Sequence, residues 1–263
     1  MNPRTVSALL LAALGVVVLA LWGDPFSLQL VAYLPILIAG WLTGSDKAPA
    51  AGEVLGSWVL WRSVLILVAA GVLFWLARRT WPREHLLGHL DRPRLRRVLY
   101  SSVAIAAACP LFYAVTRIAW VLGIPLGLDA EFLESIQSIV NNGLVLGLLA
   151  VGGAVLTIGL LRPWGEVFPR WMPFVGGKPV PVRFVTRFAC GVAFLVAAAS
   201  AYFIRAMVTG SEISMAPAGA ERYWGAWLPE MVWPVWALAL AVAAVAYAER
   251  RRRAATEAYA PAR

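Results

Sequence analysis

The chain has little of what a soluble enzyme uses. Among 263 residues there are two histidines, two cysteines and two lysines, and charged residues of both signs reach only 14%. An average soluble domain carries about 25%. His85 and His89 lie four apart in an arginine-rich connection, and no apolar segment holds a histidine, which excludes a buried bis-histidine haem. With Glu84 and Asp91 they make an incomplete metal site, so neither a metal nor another cofactor is expected. Cys109 and Cys190 lie in separate apolar stretches with no CxxC, which argues against disulfide exchange and for packing roles. No apolar segment offers the lysine that a retinal Schiff base needs. Their inner halves carry no acid to relay a proton. Walker A, GxSxG and HExxH sequences are absent.

Apolar residues are what the chain has. They make up 61% of it, with a mean hydropathy of +0.74. Runs near 20 residues recur along its length, while the alternation of a membrane β-barrel does not occur. The expected fold is an all-α polytopic transmembrane helix bundle, one domain over 1–263. Its apolar segments are Val6 to Trp22, Phe26 to Thr43 with Pro35 inside, Val54 to Ala77, Val98 to Gly123, Asn141 to Leu161, Phe188 to Val208, and Pro229 to Ala248. The first lacks a small-x-small cleavage pattern and reads as a membrane helix. Gly23-Asp24-Pro25 reads as a tight turn. The linker Ile124 to Ser138 has apolar residues at helical spacing, as an interfacial piece or an extension of the next helix would.

The positive residues order these segments. Seven arginines lie between 78 and 97, five positive residues between 162 and 187, and five in the C-terminal tail. They fall in alternate connections, as the positive-inside rule requires, so the net charge of +9 speaks for a bilayer and not for nucleic acid. Seven spans place the N-terminus outside and the C-terminus in the cytoplasm. An alternative keeps Arg4 inside, makes Phe26 to Thr43 re-entrant or interfacial, and leaves six spans with the same orientation downstream. The preference for arginine over lysine fits a GC-rich bacterial genome and a multi-pass protein of the inner (plasma) membrane.

Arg62, Arg117 and Arg205 lie outside these clusters, toward the outer ends of their segments. Trp58, Tyr113 and Tyr202 each stand about one helical turn away. The outer linkers supply Glu131, Glu134 and Glu230, with Asp129, Glu212 and Glu221, and Asn141 and Asn142 open the fifth segment. Charge inside a membrane is expensive, so these residues outline a candidate polar site whose donors suit a phosphate, a carboxylate or a lipid headgroup. The competing reading is structural. Each arginine can snorkel to the headgroups or pair with a linker acid, and Glu230 can cap the last helix. Gly143 and Gly147 form a GxxxG that lets helices approach closely. Arg97 to Gly123 and Arg187 to Gly210 share a plan: an entering arginine, an apolar stretch, a tyrosine and an exit arginine.

The run Arg162 to Pro181, with RIAWVLGIPLG from Arg117 to Gly127, resembles a family of uncharacterised multi-pass membrane proteins from high-GC bacteria. The resemblance covers the C-terminal two-thirds and implies location and topology, with no activity attached. The expected role is non-enzymatic: a protein surrounded by lipid bilayer that binds a membrane protein partner or an anionic, lipid-like ligand at its outer face. A small transporter or a membrane enzyme acting on such a substrate is the alternative.

Overall fold

A computed structural model describes residues 3–24, 26, 42, 56–81, 86–210, 219 and 222–258. Within those helices the side chains at 138, 139, 141, 142 and 258 are not described. Apart from Phe26 and Leu42, the segment expected at 26–43 lies outside the described residues, as do the linker 44–53, His85, Glu212 and Glu221.

The described chain is helical, with one isolated bridge between Val167 and Pro179. Its helices are α1 (Pro3–Trp22), α2 (Trp58–Thr80), α3 (Arg92–Val121), α4 (Ala130–Ser135), α5 (Gln137–Gly159), α6 (Val182–Thr209), α7 (Trp224–Met231) and α8 (Trp233–Ala258). Five stretches are long and apolar enough to cross a membrane: α1, α2, α3, α6, and α7 with α8 over Trp224–Glu257. In α5 the apolar stretch Gly143–Gly159 is shorter.

Several helices extend beyond the expected apolar segments, because hydropathy marks the hydrocarbon slab and capping marks the helix. The fourth segment starts at Arg92 and not Val98. Asp91 accepts from the Arg94 amide at 2.8 Å, with a proline in the first turn. Arg92, Arg94, Arg96 and Arg97 are therefore helical residues and not loop. Similarly, the sixth starts at Val182, and the last continues through Arg250–Arg253 to Ala258. The third begins later than expected, at Trp58, where the Ser57 hydroxyl accepts from the Leu60 amide at 3.3 Å. The linker Ile124 to Ser138 contains α4, capped by Asp129 on the Phe132 amide at 2.7 Å.

The chain forms two compact units. The first comprises 1–83 and Leu195–Met215. In it α1 and α2 pack antiparallel, with the Phe74 ring against Gly15, where a Cβ would come within 3.1 Å. At Gly23 a Cβ would lie 2.8 Å from the Ala198 carbonyl, so only glycine lets the end of α1 approach the α6 backbone this closely.

The second unit comprises 84–194 and 216–263. Its core runs along α3. Leu95, Leu99 and Val103 meet Leu160 and Tyr247 at one end, and Ala106, Ala189, Ala193, Ala239 and Ala244 pack in the middle. Ala119 and Trp120 close the far end with Leu133, Ile136 and Val140. The alanine-rich middle lets helices approach closely, as helices without a hydrophobic driving force must.

Candidate functional site

The arginines set aside in the sequence divide between the units. Arg117 belongs to the second, and Arg62 and Arg205 belong to the first.

Arg117 is buried near the C-terminal end of α3, 8% exposed. Its Nη2 donates to Glu230 Oε1 at 2.5 Å, and its Nη1 donates to the Gly225 carbonyl at 2.9 Å. The second acceptor exists because of a proline. Residue 229 would ordinarily return its amide to the carbonyl of residue 225 in α7, but Pro229 has none to give, so Gly225 is left for the guanidinium. The cation lies 4.5 Å from the Tyr113 ring centroid and 4.2 Å from that of Trp120. Aromatic faces thus offset part of its desolvation. Gly143 and Gly147 of α5 complete the cage: a Cβ on either would sit 3.3–3.4 Å from the Arg117 side chain. The GxxxG of the fifth segment thus accommodates the Arg117 side chain and, at Gly147, lets α5 come close to the α3 backbone, where a Cβ would lie 3.7 Å from Ala114.

Glu230 is 7% exposed and lies in the last turn of α7. It does not open a helix, so the expected capping role does not hold: the polypeptide is already helical from Trp224. Glu230 Oε2 and Trp236 Nε1 are buried with no hydrogen-bond partner among the described residues.

Of the three acids expected near the arginines, Glu230 alone meets Arg117. Glu131 and Glu134 stand exposed on α4 and make no ion pair among the described residues. The cap residue Asp129 instead accepts a hydrogen bond from the Tyr223 hydroxyl, which fastens α4 to the start of α7. That bond, with the Phe132 amide, holds the Asp129 carboxyl below its ordinary range and raises the Tyr223 phenol. Below this contact Gly127 and Gly225 touch backbone to backbone, the Gly225 amide donating to the Gly127 carbonyl at 3.1 Å. Gly127 has φ +74°, and a Cβ on Gly225 would fall 2.5 Å from the Leu126 carbonyl oxygen. Asn141 and Asn142 lie on α5, with side chains outside the described residues.

In the first unit Asp24 is the centre, 9% exposed just past α1. Its Oδ1 accepts from the Phe26 amide at 3.0 Å and its Oδ2 from Ser63 Oγ at 2.7 Å. Ser63 has one proton to give and also lies 2.8 Å from the Val59 carbonyl, so the two acceptors share it. Arg62 Nη2 stands 3.7 Å from Asp24 Oδ2 with its side chain 54% exposed. Arg205 points its fork at the end of α1, Nη1 to the Ala20 carbonyl and Nη2 to the Gly23 carbonyl, both at 2.6 Å. A cation there satisfies helix-end carbonyls that have no amide partner. Tyr202 turns its ring edge-on to Phe203, with centroids 5.5 Å apart. The exit arginines of the two similar stretches thus do different work: one binds a carboxylate, the other caps a helix.

Asp24 escaped the sequence reading because Gly-Asp-Pro is a common turn sequence. Its signal was there nonetheless: an acid at the end of an apolar run, flanked by no loop of its own sign. A further acid, Glu249, is 5% exposed at the far end of α8 between Arg252 and Arg253, with Nη2 and Nε contacts of 2.6 and 2.7 Å. All three buried carboxylates among the described residues, Asp24, Glu230 and Glu249, therefore face a guanidinium. Arg117 and Arg205 are occupied by protein acceptors. Arg62 alone of the three presents an exposed guanidinium, with Trp58 71% and Trp61 56% exposed beside it.

No protein-family model, curated protein or solved structure matches the chain.

Proposed function

We propose that this is a non-enzymatic, multi-pass protein of a bacterial plasma membrane that binds an anionic group at its outer face through Arg62. The exposed guanidinium carries the reading. It is held by one long contact to Asp24, its side chain is 54% exposed, and tryptophans suited to the membrane interface flank it. The wider pocket expected from Arg62, Arg117, Arg205, Glu131, Glu134 and Glu230 narrows to this point, because the other two arginines are committed internally. A carboxylate or phosphate, free or on a lipid or partner protein, suits the donors. The transporter and enzyme alternatives have less support, since each buried acid faces an arginine.

The topology proposed with it has six spans, N-terminus and C-terminus both cytoplasmic. The Asp24–Ser63 bond supports it: the end of α1 lies at the start of α2, so the chain leaves and re-enters on one side. About 30 residues lie between Asp24 and Trp58, too few to cross twice. Arg4 then joins the arginine-rich side. The resemblance to membrane proteins of high-GC bacteria fits the same location.

The test is thermal unfolding of the detergent-solubilised protein with added inorganic phosphate or acetate. At least one of them should raise the midpoint of the wild type, and Arg62→Gln should abolish the shift while keeping its helical content. If neither raises it, or the variant responds equally, the outer-site reading fails.

A further inference from the structure

The end of the second unit opposite Arg117 carries a separate feature. Arg92, Pro93, Arg96, Arg97 and Tyr100 line an open hollow of about 460 Å³ on α3. These positions repeat at helical spacing and form one stripe, while Leu95, Leu99 and Val103 turn into the core. Arg92 pairs with Glu257, which cancels its charge. Arg96 and Arg97 have no carboxylate partner among the described residues, and both are exposed. The Arg96 guanidinium lies 5.4 Å from the Tyr100 ring centroid, which holds it over the hollow. The hollow therefore offers two uncompensated guanidinium forks.

Above Tyr100 the same stripe becomes apolar and stays exposed. Ala104 and Ala108 are exposed, followed by Leu111 at 36% and Val115 at 54%. The two alanines leave a shallow track next to the arginines, on a helix long and apolar enough to cross a membrane. Charge at one end and an unoccupied apolar track at the other match the two parts of a phospholipid.

We propose that this stripe is a binding site for an anionic phospholipid, its phosphodiester held by Arg96 and Arg97 and an acyl chain laid along Ala104 and Ala108. Guanidinium forks match phosphate oxygens two at a time, and a basic hollow at the end of a membrane helix draws anionic headgroups. The tyrosine at headgroup depth supplies a hydroxyl and a ring for the glycerol region. The site does not depend on Arg62 or on the reading of the outer face.

The experiment measures binding of phosphatidylglycerol, phosphatidylcholine and inorganic phosphate to the detergent-solubilised full chain. The expected result is preference for phosphatidylglycerol, with affinity about tenfold lower in R96Q/R97Q, the loss of charge-assisted hydrogen bonds. The charge-matched R94Q/R183Q, which removes two arginines outside the hollow, should bind as wild type. Ala104→Trp fills the track without touching a charge and should also weaken phosphatidylglycerol. It keeps the test decisive should R96Q/R97Q not fold. The proposal is overturned if phosphatidylcholine binds equally, if inorganic phosphate competes as well as the lipid, or if R94Q/R183Q loses as much affinity as R96Q/R97Q. It also falls if Ala104→Trp binds as wild type.

Discussion

Ser63 Oγ and Asp24 Oδ2 meet at 2.7 Å, across 39 residues of sequence. The bond ties the exit of α1 to the first turns of α2, and Arg205 seals the same corner by capping Ala20 and Gly23. On the six-span topology proposed above, α1 enters the membrane from the arginine-rich side. Cysteines placed one at a time at Pro3, Trp58 and His89 should separate the two topologies when intact cells meet an impermeant thiol reagent. Trp58→Cys is expected to label, and Pro3→Cys and His89→Cys to stay protected until the membrane is opened. Labelling of Pro3→Cys on intact cells would restore seven spans.

The Arg117–Glu230 pair is buried in the second unit. Removing one partner leaves the other charge buried, so Arg117→Gln or Glu230→Gln should each destabilise by about 3–5 kcal/mol. Replacing both, as Arg117→Met with Glu230→Leu, leaves no buried charge, though the Gly225 carbonyl and Thr116 Oγ1 lose their donor, and should cost less than either single change, about 1–3 kcal/mol. Reversible unfolding in mixed micelles measures all three. A double variant as unstable as the worse single would show that the pair itself contributes more than its desolvation costs.

Two glycine substitutions should behave differently. A Cβ at Gly225 meets carbonyl oxygen and backbone that cannot yield, so Gly225→Ala should lose about 1–3 kcal/mol and loosen α7 from the Gly127 turn. At Gly143 the nearest atom, 3.3 Å away, is a methylene of Arg117. That chain can shift by a few tenths of an ångström, so Gly143→Ala should cost under about 1 kcal/mol. Unfolding midpoints and protease cleavage near residue 127 report both.

The Tyr223–Asp129 contact has a pH signature. The Asp129 carboxyl is depressed in the folded chain, so its contribution is complete above its ordinary value of about 3.9 and is lost as pH falls through the lower folded one. The Tyr223 phenol is raised by the same bond, so that contribution is present below its ordinary value of about 10 and is lost as pH climbs through the raised one. The ultraviolet difference titration of wild type against Tyr223→Phe should therefore place this phenol above its ordinary value. Asp129→Asn should bring it back down.

Much of this was legible in the residues. Apolar runs gave all five long membrane-compatible helices, and the placement of Arg117 and Glu230 at one end was readable from charge alone. What escaped were features set by single atoms. The two N-terminal topologies differ by one arginine, too little for a charge count to decide, whereas a serine reaching an aspartate bears on it directly. Glu230 looked like the start of a helix because Pro229 usually marks one. The helix begins a turn earlier, and the proline's missing amide became the reason that Gly225 serves Arg117. Glu131 and Glu134 seemed close to the arginines by sequence, but capping by Asp129 leaves them on the exposed side of α4.

Glu230 stands 113 residues after Arg117. Ribosomes add about 5–20 residues each second, so the arginine is synthesised roughly 6–23 s before its counter-ion exists. For that interval a guanidinium on a nascent helix has neither the Glu230 carboxylate nor the Gly225 carbonyl, while its sequence neighbours Tyr113, Thr116 and Trp120 are at hand. The cation's two aromatic neighbours are thus its first companions in time, and its counter-ion arrives only with the last helices to leave the ribosome.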